Sequence, residues 1–141
     1  MNEIKAAVAI ITNDKREYLL QKKDLGHLWF PGKWCLFGGG IEPGEEPLDA
    51  LIRELSEEGV PVTEIKFIER SEYTDKVGEK VRQGQIYVYH AQFRGKISDI
   101  RLGEGGGFAF FNRSEFDSIP IVDHNRRLIE RFDDNYGKNQ P

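Results

Sequence analysis

With 141 residues the chain fits one domain, which is long enough to bury most of its apolar surface without disulfides. Hydrophobic residues make up 38% of it and charged residues 31%, values that belong to a globular protein and exclude a disordered chain. The formal net charge of −4 argues against a nucleic-acid groove, so a polyanionic small substrate would need metal cations.

The start of the chain contains an apolar stretch of only about seven residues. Such a stretch is too short for a signal core or a membrane span, so we expect a cytoplasmic protein. The single cysteine, Cys35, cannot form an internal disulfide, and we expect it to be a buried strand residue. No repeat or composition shift divides the chain, which predicts a single domain over residues 1–141.

Two aliphatic runs, residues 6–12 and 18–21, are separated by the polar residues 13–16 and predict a β-hairpin. The aromatic segment 28–37 then predicts a loop that leads into a strand. That strand is expected to end at Gly38–Gly40, where the three glycines predict a sharp turn of the backbone.

Strands are also predicted in the second half of the chain, where a polar connection covers residues 74–80 and the strands cover 64–73, 85–94 and 108–111. A second amphipathic helix follows Pro120, with Asp123 as its N-cap and a frayed tail after residue 135. These elements predict an α+β fold with a mixed sheet.

The first helix has the clearest boundaries. Pro47 suits its first turn, and Gly59 followed by Pro61 ends it. Its apolar residues recur at i, i+3, i+4 and i+7, which predicts one face packed on a core. They are Leu48, Leu51, Ile52 and Leu55.

A second face of this helix carries Glu54, Glu57 and Glu58 at i, i+3 and i+4. One interpretation is a solvated acidic face in which Arg53 pairs with Glu57. The other is a site for a hard divalent cation, because such carboxylates repel one another unless cations neutralise them. A carbonyl of the nearby glycine turn could complete the ligand shell.

The same segment resembles the signature of the Nudix hydrolases. That signature is a glycine, five residues, a glutamate, seven residues and then Arg-Glu-aliphatic-x-Glu-Glu-x-Gly-aliphatic. Every position is matched through the second glutamate of the final pair: Gly39, Glu45, Arg53, Glu54, Leu55, Glu57 and Glu58.

The match departs at its end, where this chain has Gly59-Val60-Pro61 in place of one residue, glycine and an aliphatic residue. We expect Gly59 to end the helix one position early, because the family's glycine holds no metal. Phe37 also stands where many members carry proline. Both departures concern the backbone around the box, which covers residues 39–61 approximately.

The resemblance implies roles for residues outside the box. Lys23, at the end of the first hairpin, is similar to a basic residue that contacts substrate, although an exposed lysine at a strand end is unremarkable. Glu104 looks like a loop glutamate that adds a carboxylate to the metal site. Asp123 matches a region that touches the nucleobase, with helix N-capping as the alternative.

In the box itself, the resemblance implies metal binding by Glu57, Glu58 and the carbonyl of Gly39. Glu54 would bind a second ion or act as the base. Arg53 is expected to hold a glutamate in place. These glutamates and Arg53 are thus the candidate catalytic residues.

The implied fold is an α/β/α sandwich with a mixed sheet between helices, and the implied cofactor is Mg²⁺ or Mn²⁺. The implied reaction is hydrolysis of a diphosphate linked to a group X. We expect a nucleoside triphosphate as substrate, oxidised forms included, giving the monophosphate and pyrophosphate. A nucleotide sugar or another nucleoside diphosphate derivative is the alternative within this class.

From another class, a non-catalytic nucleotide-sensing module is the alternative, although such modules tend to lose the box glutamates. The expected partner is therefore a nucleotide, with no nucleic-acid polymer and no membrane. Homodimers are frequent in the family, so a homodimer stays open.

Overall fold

The computed structural model describes residues 4–101 and 106–139, with side chains described as far as residue 135. Glu104 therefore lies outside the described residues. The strands are β1 (Ile4–Thr12), β2 (Tyr18–Lys22), β3 (Trp34–Cys35), β4 (Phe37–Gly40), β5 (Val62–Val77), β6 (Lys80–Phe93) and β7 (Gly107–Phe111). The helices are α1 (Pro47–Glu57) and α2 (Asp123–Asn139), and 3₁₀ turns cover Ile97–Asp99 and Arg113–Ser118.

Strand β1 is the centre of one mixed sheet. It pairs in parallel with β6 along one edge and antiparallel with β4 along the other. Its last residue pairs with Tyr18 of β2, as the predicted hairpin requires. Beyond these, β5 continues the sheet next to β6, and β2 pairs with both β3 and β7.

The side chains of β1 alternate between two separate cores, because successive residues of a strand point to opposite faces. Ala7, Ala9 and Ile11 pack in the core that contains Leu51 and Leu55 of α1. Val8 and Ile10 pack in the other core, whose helical residues are Leu128, Ile129 and Phe132 of α2. The sheet thus lies between two helices, and the predicted α/β/α sandwich is confirmed.

The three glycines correct one prediction. Gly38–Gly40 do not form a turn but belong to β4, where Gly38 pairs with Val8 and Gly40 with Ala6. A β-carbon on Gly38, whose φ is 145°, would lie 2.2 Å from the carbonyl oxygen of Ala7. Only glycine allows this close approach, so the glycines mark a tightly paired strand and the turn comes after them.

The apolar stripe of α1 was predicted only in part. Leu51 and Leu55 are buried, but Leu48 and Ile52 are 39% and 44% exposed. Ala50 is fully buried in their place. The helix is rotated toward Ala50 because a small side chain allows closer contact with the sheet.

Strands β5 and β6 are longer than predicted and meet at Gly78 and Glu79, so the polar segment 74–80 is mostly strand. The backbone of α2 is helical as far as Asn139. Cys35 is buried in β3, as predicted. Within residues 4–101 and 106–139, neither helix has the length and hydrophobicity needed to cross a membrane.

Candidate functional site

The carboxyl end of α1 is set by Gly59, which has a φ of 69°. Its N–H donates to the Ser56 carbonyl at 3.1 Å, and the N–H of Val60 donates to the Leu55 carbonyl at 2.9 Å. This is a Schellman ending with glycine in the left-handed position. Gly59 therefore ends the helix directly after Glu58, as predicted, and the last turn presents the acidic residues.

The Glu54 carboxylate lies against the backbone of Gly39. A β-carbon added to Gly39 would stand 2.5 Å from the Oε1 atom of Glu54. Glycine at this position thus lets the carboxylate of α1 reach the strand. The structure thereby brings together two of the residues predicted to bind a metal.

Arg53 joins the helix to the segment that follows β4. Its Nε and Nη2 atoms donate to the two carboxylate oxygens of Glu45 at 2.9 and 3.0 Å. Nη2 also donates to the Gly40 carbonyl at 3.1 Å, and Nη1 donates to Glu54 at 3.1 Å. The hydrogen bonds from Arg53 lower the pKa of Glu45. Arg53 therefore positions Glu45 and Glu54.

Glu58 is partly buried, and its Oε2 atom has no hydrogen-bond partner among the described residues. Burial and the negative charges of Glu54 and Glu57 together raise the pKa of Glu58 to about 7, against an opposing effect of Lys23. A carboxylate in such surroundings favours a nearby positive charge. Glu58 is the acidic group here whose ionised form is least satisfied by the protein.

The acidic residues do not form a closed ligand set. Among residues 4–101 and 106–139, no three or more acidic, histidine or cysteine side chains are arranged to hold a metal ion. Glu57 is 59% exposed, and its Oε1 atom lies 3.5 Å from Nη1 of Arg53, as the solvated interpretation expected. The assignment of Gly39, Glu54, Glu57, Glu58 and Glu104 as metal ligands stays a prediction.

A cavity of about 330 Å³ opens beside the glycine strand. Its lining includes Lys23 and the backbone of Gly38–Gly40. The positive charge of Lys23 interacts with the Glu58 carboxylate. The rest of the polar and aromatic lining is His27, Phe30, Tyr73, Arg82, His124 and Asn125. Lys23 therefore lines this cavity, and its contact with substrate stays a prediction.

Aromatic rings contact one another in this cavity. Tyr73 stacks on His124 with centroids 4.9 Å apart, and Phe30 meets His124 edge-on at 5.8 Å. Asn125 is buried, and its Oδ1 atom accepts the N–H of Leu36 at 2.8 Å. These residues come from three distant parts of the chain, and their side chains are brought together only by the fold.

Asp123 lies outside this cavity. It is the first residue of α2, is exposed, and lines a smaller pocket of about 240 Å³ with Trp29 and Lys33. Successive helical residues point about 100° apart, and its neighbours His124 and Asn125 line the larger cavity, with His124 lining the smaller pocket as well. The sequence predicted the helix start to within one residue, because Asp123 is the first helical residue and not the N-cap, but it missed these two residues.

The fold is a mixed sheet between two helices, with a glycine strand against a glutamate-rich helix end. This is the arrangement that the resemblance to the Nudix hydrolases implied. The chain belongs to the NUDIX domain family, whose model matches residues 2–132. This confirms the resemblance carried by residues 39–58.

Similar proteins include the nucleoside triphosphatase NudI of Enterobacter sp. strain 638, which is 36% identical over 90 residues. That segment is 61% of this chain and 64% of NudI. The RNA pyrophosphohydrolase of Bartonella quintana is 38% identical over 102 residues, which are 64% of this chain and 57% of that protein. Both matches span less than two thirds of the relative's length.

Among solved structures, the MutT protein of Methanosarcina mazei Go1 superposes with a TM-score of 0.72. The superposition covers 96% of this chain and 98% of that one at 21% identity. At this identity the likeness supports the fold alone.

Proposed function

We propose that the protein hydrolyses a nucleoside triphosphate to the nucleoside monophosphate and pyrophosphate with Mg²⁺ or Mn²⁺ as cofactor. One observation carries the proposal: the Glu58 carboxylate, near Glu54 and Lys23, has a buried oxygen without a partner among the described residues. The name of the NudI relative supports a triphosphate substrate.

The residues present fit a hard divalent cation. Such ions prefer carboxylate and carbonyl oxygens, and they would favour the ionised form of Glu58, whose pKa is raised by burial and by the charges of Glu54 and Glu57. Glu54, Glu57, Glu58 and the carbonyl of Gly39 would hold the ion, joined by Glu104. When bound, the ion polarises phosphoryl oxygens and lowers the pKa of a coordinated water.

The other residues supply position and charge. Lys23 lines the cavity and offers an ammonium group to a phosphate oxygen. Arg53 fixes Glu54 and the backbone of Gly40 through its hydrogen bonds. Glu54, held against Gly39, orients the attacking water or binds a second ion. Phosphoryl transfer depends mainly on such positioning and charge neutralisation.

Incubation with Mg²⁺ and matched panels of nucleoside triphosphates and nucleotide sugars tests the proposal. We expect monophosphate and pyrophosphate from triphosphates, with Glu58→Gln at least ~100-fold slower. Glu79→Gln, at the β5–β6 turn, is the matched control and should retain wild-type activity.

A direct Mn²⁺ titration monitored by electron paramagnetic resonance provides a readout besides turnover. We expect weaker Mn²⁺ binding by Glu57→Gln and Glu58→Gln than by Glu79→Gln. If only nucleotide sugars were cleaved, the proposed triphosphate substrate would be wrong. Binding of nucleotides with no hydrolysis above the Glu58→Gln background would instead indicate a non-catalytic module.

A further inference from the structure

Arg82, on β6, lines the same cavity but makes no hydrogen bond to the acidic end of α1. Its Nε atom donates to Oδ2 of Asp75 at 2.8 Å, and the Asp75 side chain is only 6% exposed. A buried carboxylate at this distance offsets much of the guanidinium charge. Arg82 is therefore less suited than Lys23 to attract phosphate, and its role in the cavity needs another explanation.

Aromatic contacts fix the orientation of the Arg82 guanidinium. Its central carbon lies 4.5 Å from the ring centroid of Trp29 and 5.5 Å from that of Phe30. Only Nε has a hydrogen-bond acceptor within the described residues, so both Nη groups remain available to a ligand. The side chain is thus preorganised, with parallel N–H donors on a rigid planar group.

The neighbouring side-chain amide of Asn125 and the Nδ1 atom of His124 already have partners within the protein. Leu36 donates its N–H to Oδ1 of Asn125, which makes the other side of the Asn125 amide a donor toward Nδ1 of His124 at 2.9 Å. The proton of neutral His124 is thereby assigned to Nε2, which lies 3.3 Å from Oδ1 of Asp75. That contact is not aligned as a hydrogen bond. Asp75 thus positions Arg82 through a hydrogen bond and lies beside His124.

We propose that Arg82 is a specificity-determining residue that selects nucleotides whose base presents two adjacent hydrogen-bond acceptors. This rests on the proposed function in taking the cavity ligand to be a nucleotide. Parallel guanidinium donors match O6 and N7 of guanine, or N3 and O2 of cytosine.

Other bases do not match these donors. Adenine places its amino group beside N7 and would direct a donor at a donor. Uracil has no two adjacent acceptors on its pairing edge. In 8-oxoguanine N7 carries a hydrogen, so Arg82 disfavours this oxidised base at that edge.

Calorimetric titration of the intact protein with nucleoside monophosphates tests the inference without metal or turnover. We expect GMP or CMP to bind about 10- to 100-fold more tightly than AMP, UMP and 8-oxo-dGMP. Comparing GMP with CMP distinguishes the two acceptor edges. In Arg82→Gln the preference should fall to within about threefold, because a carboxamide presents one donor group.

Two further variants separate recognition from folding. Arg82→Lys keeps the charge beside Asp75 but not the parallel donors, so it should fold normally and still lose most of the preference. Arg131→Gln removes a different arginine that pairs with a glutamate of β5, and it should retain the preference.

Equal binding of all five monophosphates, no binding of any, or an unchanged preference in Arg82→Lys would overturn the role of Arg82. These outcomes are separable from those of the hydrolysis assay. A base preference without hydrolysis would contradict only the proposed activity. Hydrolysis without a base preference would contradict only the role of Arg82.

Discussion

Two charged side chains of α1 and its C-terminal end, Arg53 and Glu58, differ in how well the protein satisfies their hydrogen-bonding groups. Arg53 is surrounded by acceptors from Glu45, Glu54 and Gly40, so its position is determined by several bonds at once. Glu58 has a buried oxygen without a partner among the described residues and a raised pKa. The arginine therefore stabilises the loop, whereas the glutamate keeps an unsatisfied group for a ligand.

Replacing Gly39 by alanine should disable the site. The added β-carbon would lie 2.5 Å from Oε1 of Glu54 and displace that carboxylate. We expect kcat/KM for the triphosphate to fall about 100-fold, the typical cost of misplacing a group by about an ångström. Steady-state kinetics with Mg²⁺ measures this.

Gly40→Ala is the matched control, because a β-carbon there meets no atom within 4 Å. It should retain most of the activity. Equal losses in both variants would show that glycine flexibility, and not the approach of Glu54, is what the strand requires.

Arg53→Lys should lower kcat with little change in overall fold. Lysine keeps the positive charge but cannot donate to both oxygens of Glu45 and to Gly40 together. We expect kcat to fall by about 10- to 100-fold, by the same cost of misplacement. Single-turnover kinetics isolates the hydrolysis step.

The control is Arg126→Lys, which alters an arginine of α2 that pairs with Asp117 and Glu130. Its kcat should match that of the wild type. If Arg53→Lys turned over as fast as this control, the positioning role of Arg53 would be wrong.

At the scale of elements, the acidic face depends on how α1 begins and ends. Glu46 is its N-cap and Pro47 its first residue, and Gly59 closes the Schellman ending. The end is buttressed from a distant segment, since the N–H of Arg101 donates to the carbonyl of Glu58 at 2.6 Å. The last turn, which carries the glutamates, is therefore fixed by the Schellman ending and by the hydrogen bond from Arg101.

Gly59→Ala should destabilise the protein by about 1–2 kcal/mol. Its φ of 69° is unfavourable for alanine, and the new β-carbon would lie 3.0 Å from the carbonyl oxygen of Asp99. Urea unfolding followed by circular dichroism measures the loss.

Gly78→Ala provides the comparison, because φ there is 61° but a β-carbon meets no atom within 4 Å. It should cost about 1 kcal/mol, which is the conformational part alone. A larger loss in Gly78→Ala than in Gly59→Ala would contradict the proposed contact with Asp99.

At the scale of the whole molecule, His90 joins the sheet to α2. It lies on β6, its Nε2 atom is 2.8 Å from the hydroxyl oxygen of Thr12 on β1, and its ring stacks on Phe132 of α2 at 4.7 Å. Burial and the positive charge of Lys66 together lower the pKa of His90 to about 4, against a smaller opposing effect of Glu64. The neutral ring is thus part of the folded state.

This histidine should make stability depend on pH. Its folded pKa is lower than the unfolded value near 6.5, so the unfolded chain binds the extra proton between pH 6.5 and 4. The contribution is present above pH 6.5 and is lost as the pH falls toward 4. Allowing for partial exposure, we expect a loss of about 1–2 kcal/mol.

The measurement is the free energy of unfolding from pH 7.5 to 4 for the wild type and for His90→Gln. Taking the difference between the two proteins cancels other groups, including Glu58, whose raised pKa acts in the opposite direction. A difference that does not change with pH would show that His90 has the same pKa in the folded and unfolded states.

The sequence by itself determined the features that depend on neighbouring residues. The hairpin, the limits of α1, the glycine that ends it and the common face of Glu54, Glu57 and Glu58 follow from turn residues, capping and helical periodicity. The spacing of the box likewise identified the family.

Only the tertiary structure decided which distant residues meet. It placed Gly38–Gly40 in a strand against β1, turned Ala50 inward instead of Leu48, and gathered Tyr73, Arg82 and His124 around one cavity. Contacts of this kind depend on sheet register and on the rotation of a helix about its axis. Neither leaves a local pattern in the chain, because both are set by how all the elements pack together.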